Sequence, residues 1–421
     1  MLTILENAAV LDVDAGELRT ESTIVIEGSK IKEITNGAGP NVEARRIDLR
    51  GMTVMPGLID CHAHAMQSTS NLALLSAESP TYAASRAFQI IGGMLRRGFT
   101  TIRDCGGADY GLAKAVAEGR VAGPRIIYCG KALTATGGHG DYRTRGQHAE
   151  DESYWLPRIS RRCEGVDALR RAVRDEVRKG AYHIKIMANG GIASPTDRVT
   201  SDQYSEEEIR AVVDEAAMAD LYVSAHTYTA RSIKRAVRNG VLSVEHGNLA
   251  DDEALDLIKE KGAFLVPTLI VFKALAEDGV ADGLPAELVT KLGNMAECGL
   301  QVMEKAHRKG IAMAFGSDLI GNLHARQSEE FLLRADVLPA ADLIRAATIN
   351  GARLVRMDDQ LGRIAENYEA DLLAVDGNPL EDSGILAKPE ERLKLIMKGG
   401  QTIKDATGDL TRRSVVASAA A

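Results

Sequence analysis

The sequence predicts an α/β fold: a (β/α)8 TIM barrel carrying a small β-sandwich domain formed by the N- and C-terminal segments. Three observations lead there. Eight apolar runs alternate with helical stretches, the number of strand–helix units that a (β/α)8 barrel requires. Polar residues capable of chemistry end several different runs, whereas a doubly wound sheet would gather them at one switch point. Short alternating strands joined by tight turns occupy both ends of the chain.

Taken in order, residues 2–50 read as strands in LTILENAAVLD, STIVIEGSKIKEI and ARRIDLRG, and the same texture returns in GRIAENYEADLLAVDGNPL and RLKLIMKGGQTIK. These flanks, 1–56 and 352–421, are assigned to the small domain, with the terminal RRSVVASAAA as a loose tail. The barrel is assigned to 57–351. Its runs are TVMPGLIDCHAH, FTTIRDCG, RIIYCG, HIKIMANGG, LYVSAH, LSVEHG, AFLVPT and IAMAFGSD. Helices are expected over 164–180, 205–220 and 341–355, where apolar residues recur at helical spacing. No GxGxxG or GxxxxGK[ST] follows a strand, so nucleotide binding has no support.

The chain has 421 residues, 45% of them hydrophobic and 26% charged, enough to bury a large core. Its formal charge is −8 and its basic residues are scattered, which argues against a nucleic-acid partner. No apolar stretch reaches the ~20 residues that cross a bilayer, so no membrane partner is expected. The five cysteines are far apart, without a CxxC pair, and indicate no disulfide framework. The start lacks the basic and long apolar segments of a secretory signal. A soluble, cytoplasmic protein is the default expectation, export after removal of a signal being the other reading.

His62 and His64 end the first run two residues apart. On a strand, i and i+2 face the same side, so both imidazoles can meet at one point of the barrel mouth, as a zinc-type metal site or as two ordinary polar residues. His226, His246 and Asp318 end three later runs. Parallel barrel strands converge at their C-terminal ends, which brings these groups to the same mouth. Lys185 lies inside an apolar strand, where a charged amine is costly. Either it reaches solvent or a carboxylate, or the neutral amine takes up carbon dioxide as a carbamate able to bridge two metals. His139 sits in the glycine-rich loop Gly137-Gly138-His139-Gly140-Asp141, and Tyr228 follows His226 by two. His324 can reach the mouth from the loop after the eighth strand. Arg231 can meet a carboxylate or lie at the surface. Strand alternation points Glu245 away from His246, with no role assigned.

His62, His64, Lys185, His226, His246 and Asp318, in that order on successive strand ends, resemble the metal-dependent amidohydrolase superfamily in its binuclear, carboxylated-lysine form. MPGLIDCHAH, VEHG and GSD carry the likeness across nearly the whole chain. HIKIMANGGIASPTD, TGGHGD and EHGN resemble the branch holding Xaa-Pro dipeptidases, imidazolonepropionase-like proteins and ochratoxin A-hydrolysing amidohydrolases. The resemblance implies that two divalent ions, zinc by ligand preference with manganese, iron or cobalt as alternatives, are bound. His62, His64 and Asp318 would hold one, His226 and His246 the other, with Lys185 as N6-carboxylysine between them. It implies amide hydrolysis of N-acyl amino acids or dipeptides with a free carboxylate, ochratoxin A (to ochratoxin α and phenylalanine) being the compound to test. A metal-bridging hydroxide would attack, with Asp318 as general acid and base. Tyr228 and His139 would hydrogen-bond the substrate, Tyr228 as oxyanion donor, with His324 a further substrate contact. The alternatives are Xaa-Pro dipeptidase activity or a mononuclear cyclic-amide hydrolase or deaminase. A homo-oligomer is implied by resemblance alone. Specificity is expected in the loops 65–80 and 131–160.

Overall fold

The computed structural model describes residues 2–147 and 158–409. The tail expected at the C-terminus lies outside them, as does the middle of the 131–160 loop. The chain divides into two compact units: Met1–Ile59 with Met94–Thr100 and Pro339–Ala421, and Asp60–Gly93 with Thr101–Leu338.

In the first unit, strands from both chain ends share one eight-stranded sheet. Its order is Gln401–Asp405, Leu393–Lys398, Leu372–Val375, Thr53–Pro56, Leu2–Asp12, Glu17–Glu27 and Lys30–Asn36, with Arg45–Asp48 parallel to Leu2–Asp12. Alternation explains the pairing, because Ile24 and Ile26 face a core that also takes Leu5, Val54, Leu372 and Leu395. Glu27 pairs directly with Lys30 across a two-residue turn in which Gly28 adopts φ +63°, a conformation that favours glycine.

The predicted helix over 341–355 is two helices, Ala340–Ala346 and Ile349–Leu354. The Thr348 hydroxyl donates to the Ile344 carbonyl at 2.7 Å, competing with the backbone ladder where the helix breaks.

The second unit holds the barrel wall. Six strands run in the order Ser160–Arg162, Ala132–Thr134, Ile184–Met187, Val223–Thr229, Ser243–Leu249 and Phe264–Val266, each neighbouring pair parallel. Three more, Leu58–Ala63, Phe99–Asp104 and Arg125–Tyr128, form a second sheet. The eighth run joins the two: Met313 bridges to Leu265, Ala314 N–H donates to Leu265 O at 3.0 Å, and Cys61 N–H donates to Phe315 O at 2.7 Å. Across the other gap Tyr182 N–H donates to Tyr128 O at 2.9 Å. Helices follow the strands with explicit start signals. Ser205 and Glu208 form a reciprocal capping box on Glu206–Ala217, and Thr229, just beyond Tyr228, caps Ala230–Arg238. No helix among the described residues is long and apolar enough to cross a membrane.

Candidate active site

The strand ends bring all six expected ligands to one cavity. His62 and His64 place their rings 5.4 Å apart. Asp318 Oδ1 stands 3.3 Å from His62 Nε2 and 3.0 Å from His64 Nε2. His246 lies 4.8 Å from His62 and 4.7 Å from His226, ring to ring. Lys185 is 2% exposed, and its Nζ makes no hydrogen bond or ion pair with any described residue. An ammonium buried in that way is costly without a counter-charge.

Backbone geometry aims two of these groups. His246 has φ +70° and Asp318 φ +54°, left-handed values that cost non-glycine residues on the order of 1 kcal/mol. The left-handed backbone at 246, inside the strand Ser243–Leu249, breaks alternation, and consecutive residues Glu245 and His246 both reach His62. Asp318 is pinned because its N–H donates to His62 O at 2.7 Å.

Hydrogen bonds on the far side of each ring fix which nitrogen remains a lone pair. His62 Nδ1 donates to Glu245 Oε2 at 2.7 Å and His64 Nδ1 to Gly106 O at 3.0 Å, leaving Nε2 of both rings bare. His226 Nε2 donates to Gly190 O at 3.3 Å, leaving Nδ1. His246 Nδ1 is 2.7 Å from Thr268 Oγ1. Two bare Nε2 atoms and the Asp318 carboxylate therefore face one another, an arrangement that repels unless a cation or proton stands among them. Ligand atoms of His62, His246 and Asp318 all fall within 4.8 Å, compact enough for one metal ion. A second compact group, His62 with Cys105 and Glu245, is a poorer set, because burial pushes the Cys105 thiol up to about 12 and keeps it protonated.

Glu245, expected from strand alternation to point away from His246 and given no role, meets His62 at Nδ1. Arg103 donates to both its oxygens at 2.7 and 2.8 Å, and Ser243 Oγ donates at 2.5 Å. Glu245 and Arg103 are completely buried. Burial opposes ionisation of Glu245, but the Arg103 guanidinium and the His62 hydrogen bond outweigh it and hold the carboxyl well below its usual range. When the imidazoles facing it are protonated, Asp318 is likewise held low: burial opposes, while the charge of His62 and hydrogen bonds from His62 and His64 prevail.

Tyr228 stands edge-on to His226, 4.7 Å ring to ring, and Asn189 Oδ1 receives its N–H at 2.8 Å. Burial pushes its phenol well above 10, so it remains an O–H donor. His139 stacks on His226 at 4.2 Å, and burial pulls its imidazole down to about 4. The cavity also has an apolar lining, with Val271, Phe272, Leu275 and Ile192. Loop 65–80 contributes Leu72, and 131–160 contributes Tyr142 and Ile159, residues 148–157 lying outside the described part. His324 is buried in the turn after Asp318 and does not line this cavity. Arg231 is exposed and pairs with Asp202 at 2.6 Å, its surface reading.

Four convergent imidazoles, a buried lysine and a carboxylate at a barrel mouth are groups that could hold a metal ion where barrel hydrolases carry their active sites. Residues 53–403 match the Amidohydrolase family, and the chain belongs to that family. Ochratoxinase from Aspergillus niger is 33% identical over 365 residues, 83% of this chain and 75% of that protein. Its crystal structure has a TM-score of 0.83 at 30% identity, covering 96% of both chains. A prolidase crystallised with N-methylphosphonate-L-proline has a TM-score of 0.94 and 47% identity over 96% of this chain and 100% of its own. A Xaa-Pro dipeptidase with methionine in its active site gives 0.86 and 32%, over 96% and 100%.

Proposed function

We propose that the protein is a binuclear metal-dependent amide hydrolase acting on N-acyl amino acids or dipeptides with a free C-terminal carboxylate. The observation that carries this reading is Lys185, buried, without a hydrogen bond or ion pair among the described residues, and lining the same cavity as the four histidines. His62, His64 and Asp318 would hold one divalent ion, His226 and His246 the other, with Lys185 as its carbamate between them; zinc suits this imidazole and carboxylate set. When bound, such ions supply a nucleophilic water at neutral pH and polarise the carbonyl.

The chain's own groups account for the rest. The Tyr228 phenol donates to the carbonyl oxygen as it gains charge. Asp318 takes the proton of the attacking water and returns it to the departing nitrogen, without which an amine leaves poorly. The apolar wall at Val271, Phe272 and Leu275 seats an aromatic or aliphatic portion of the substrate and keeps water out. Xaa-Pro dipeptides are the second reading, supported by the 47% identical prolidase.

Turnover of N-acyl phenylalanines, ochratoxin A and Xaa-Pro dipeptides, each as free acid and as C-terminal amide, tests the proposal. Release of the amino acid from the free acids at markedly higher kcat/KM is expected. Equal rates on acids and amides would remove the carboxylate requirement, and no cleavage by metal-loaded protein would remove the activity.

A further inference from the structure

Two cavities share one aromatic side chain. Tyr142, Leu72 and Ile159 line the cavity that holds the six ligands, and the same residues line a second cavity that continues past Leu75, Gly140 and Ser160. Leu72, Leu75 and Ile159 belong to one buried apolar cluster, and Tyr142 packs against it. The Tyr142 ring is therefore part of the partition between the two spaces. Its hydroxyl makes no hydrogen bond with any described residue, so shortening the side chain leaves no buried partner unsatisfied.

The backbone on either side of Tyr142 is held by bonds in which its side chain takes no part. Ser160 Oγ donates to Gly140 O at 2.5 Å, Arg143 donates to both oxygens of Asp141 at 2.8 and 2.7 Å, and Gly137 N–H donates to Asp141 Oδ2 at 2.9 Å. A smaller residue at 142 removes the ring and leaves the loop in place.

Strand order fixes which half of a substrate reaches this partition. Tyr142 follows the third barrel strand, Arg125–Tyr128, and the short strand Ala132–Thr134, whereas Val271, Phe272 and Leu275 follow the seventh, Phe264–Val266. Strands four places apart in an eight-stranded barrel stand across the mouth from one another. An amide held at the centre sends its two halves towards these two walls. Asp318, at the end of the eighth run beside the seventh strand, returns the proton to the departing nitrogen. The amino-acid half lies on that side, and the acyl half runs towards Tyr142.

We infer that Tyr142 is a specificity-determining residue: its ring closes an acyl subsite formed with Leu72 and Ile159 and limits the acyl group to one that ends against it. This rests on the amide-hydrolase reading of the site. A compact aliphatic acyl group fits such a subsite, and an aromatic one can pack against the phenol ring. An extended chain would have to enter the second cavity, from which the ring bars it.

Acyl length is read on the metal-loaded protein with N-acetyl- and N-hexanoyl-L-phenylalanine. The corresponding phosphonamidates, with methyl or pentyl on phosphorus, report binding by calorimetry without turnover. The wild type should favour the acetyl compound at least about tenfold in kcat/KM and the methyl phosphonamidate likewise in Kd. Tyr142→Ala should shift both ratios at least about tenfold towards the longer compound, since each methylene newly taken from water is worth about fourfold. Tyr142→Leu should shift them in the same direction, and serves if the alanine protein does not fold; Tyr142→Phe should keep them. The ranking of N-acetyl-alanine, N-acetyl-leucine and N-acetyl-phenylalanine should stay unchanged in all three variants. Cleavage by a wild type indifferent to chain length, ratios that do not move in the variants, or a shift in the amino-acid ranking instead would overturn the inference and leave the proposed function standing. Tighter binding of the pentyl phosphonamidate to Tyr142→Ala, with no cleavage of any compound, would uphold the subsite and count against the proposed function. Neither cleavage nor binding would remove both.

Discussion

Replacing Glu245 by glutamine removes one charge without changing the shape of the site, and its cost can be worked from the contacts. Glu245 accepts from His62 Nδ1, from Arg103 twice and from Ser243, all in a wholly buried setting. A glutamine keeps one acceptor oxygen and turns an NH2 group towards donors, and Arg103 is left as a buried cation without a counter-charge. Breaking a buried pair on one side costs about 3–5 kcal/mol, a large part of the ~5–15 kcal/mol stability of a folded domain. His62 loses the carboxylate that fixes its ring, for which a fall of about 10–100-fold in metal affinity is expected. Urea unfolding read by circular dichroism and metal competition against a chelator measure the two effects. Thr268→Val, which removes only a neutral partner of His246, should cost about 0.5–1.5 kcal/mol. A Glu245→Gln protein within about 1 kcal/mol of wild type, or one binding metal with unchanged affinity, would refute this account of the buried layer.

Acid unfolding provides a further check on the same group. Its folded carboxyl is held well below 4.5, so the unfolded chain protonates first and stability is lost as pH falls through the depressed value. Between about pH 5 and pH 3 the wild type should lose more stability than Glu245→Gln. Asp318→Asn should keep the fold and lower kcat by about 10²–10⁴-fold, as expected for a lost general acid and base; near wild-type turnover would remove it from that role. Tyr228→Phe should lower kcat by about 10²–10³-fold if the phenol stabilises the oxyanion, and a change confined to KM would assign it to binding instead. Gly191→Ala should displace the His139 ring and cost at least about tenfold in kcat/KM with a melting temperature near that of wild type.

Sequence patterning made most of the barrel legible because seven of the eight apolar runs form strands and several end on a polar group, whereas the short strands Ala132–Thr134 and Ser160–Arg162 carry too few apolar residues to announce themselves. The six cavity groups were legible for the same reason, since position on a strand end is a sequence property. The layer beneath them was not. Alternation assigns Glu245 to the face opposite His246, and only the left-handed backbone at His246 lets both meet His62. An arginine within the apolar run FTTIRDCG signals a buried acid somewhere in the fold, yet Arg103 and Glu245 are 142 residues apart and spacing does not pair them. Ser194 donates to Asp197, and the Lys291 ammonium donates to the Ser194 carbonyl and to Asp197, a contact that spacing does not reveal because Lys291 lies 97 positions beyond Ser194. The break at Thr348 turns on one hydroxyl that helical periodicity ignores.

The most direct measurement is a high-resolution crystal structure of protein purified with divalent metal, combined with elemental analysis of the same sample. Two ions per chain and planar density for a carboxylate beyond Lys185 Nζ, reaching both, is the predicted result. One ion or none, with Lys185 ending in a bare ammonium turned away from the imidazoles, would contradict it.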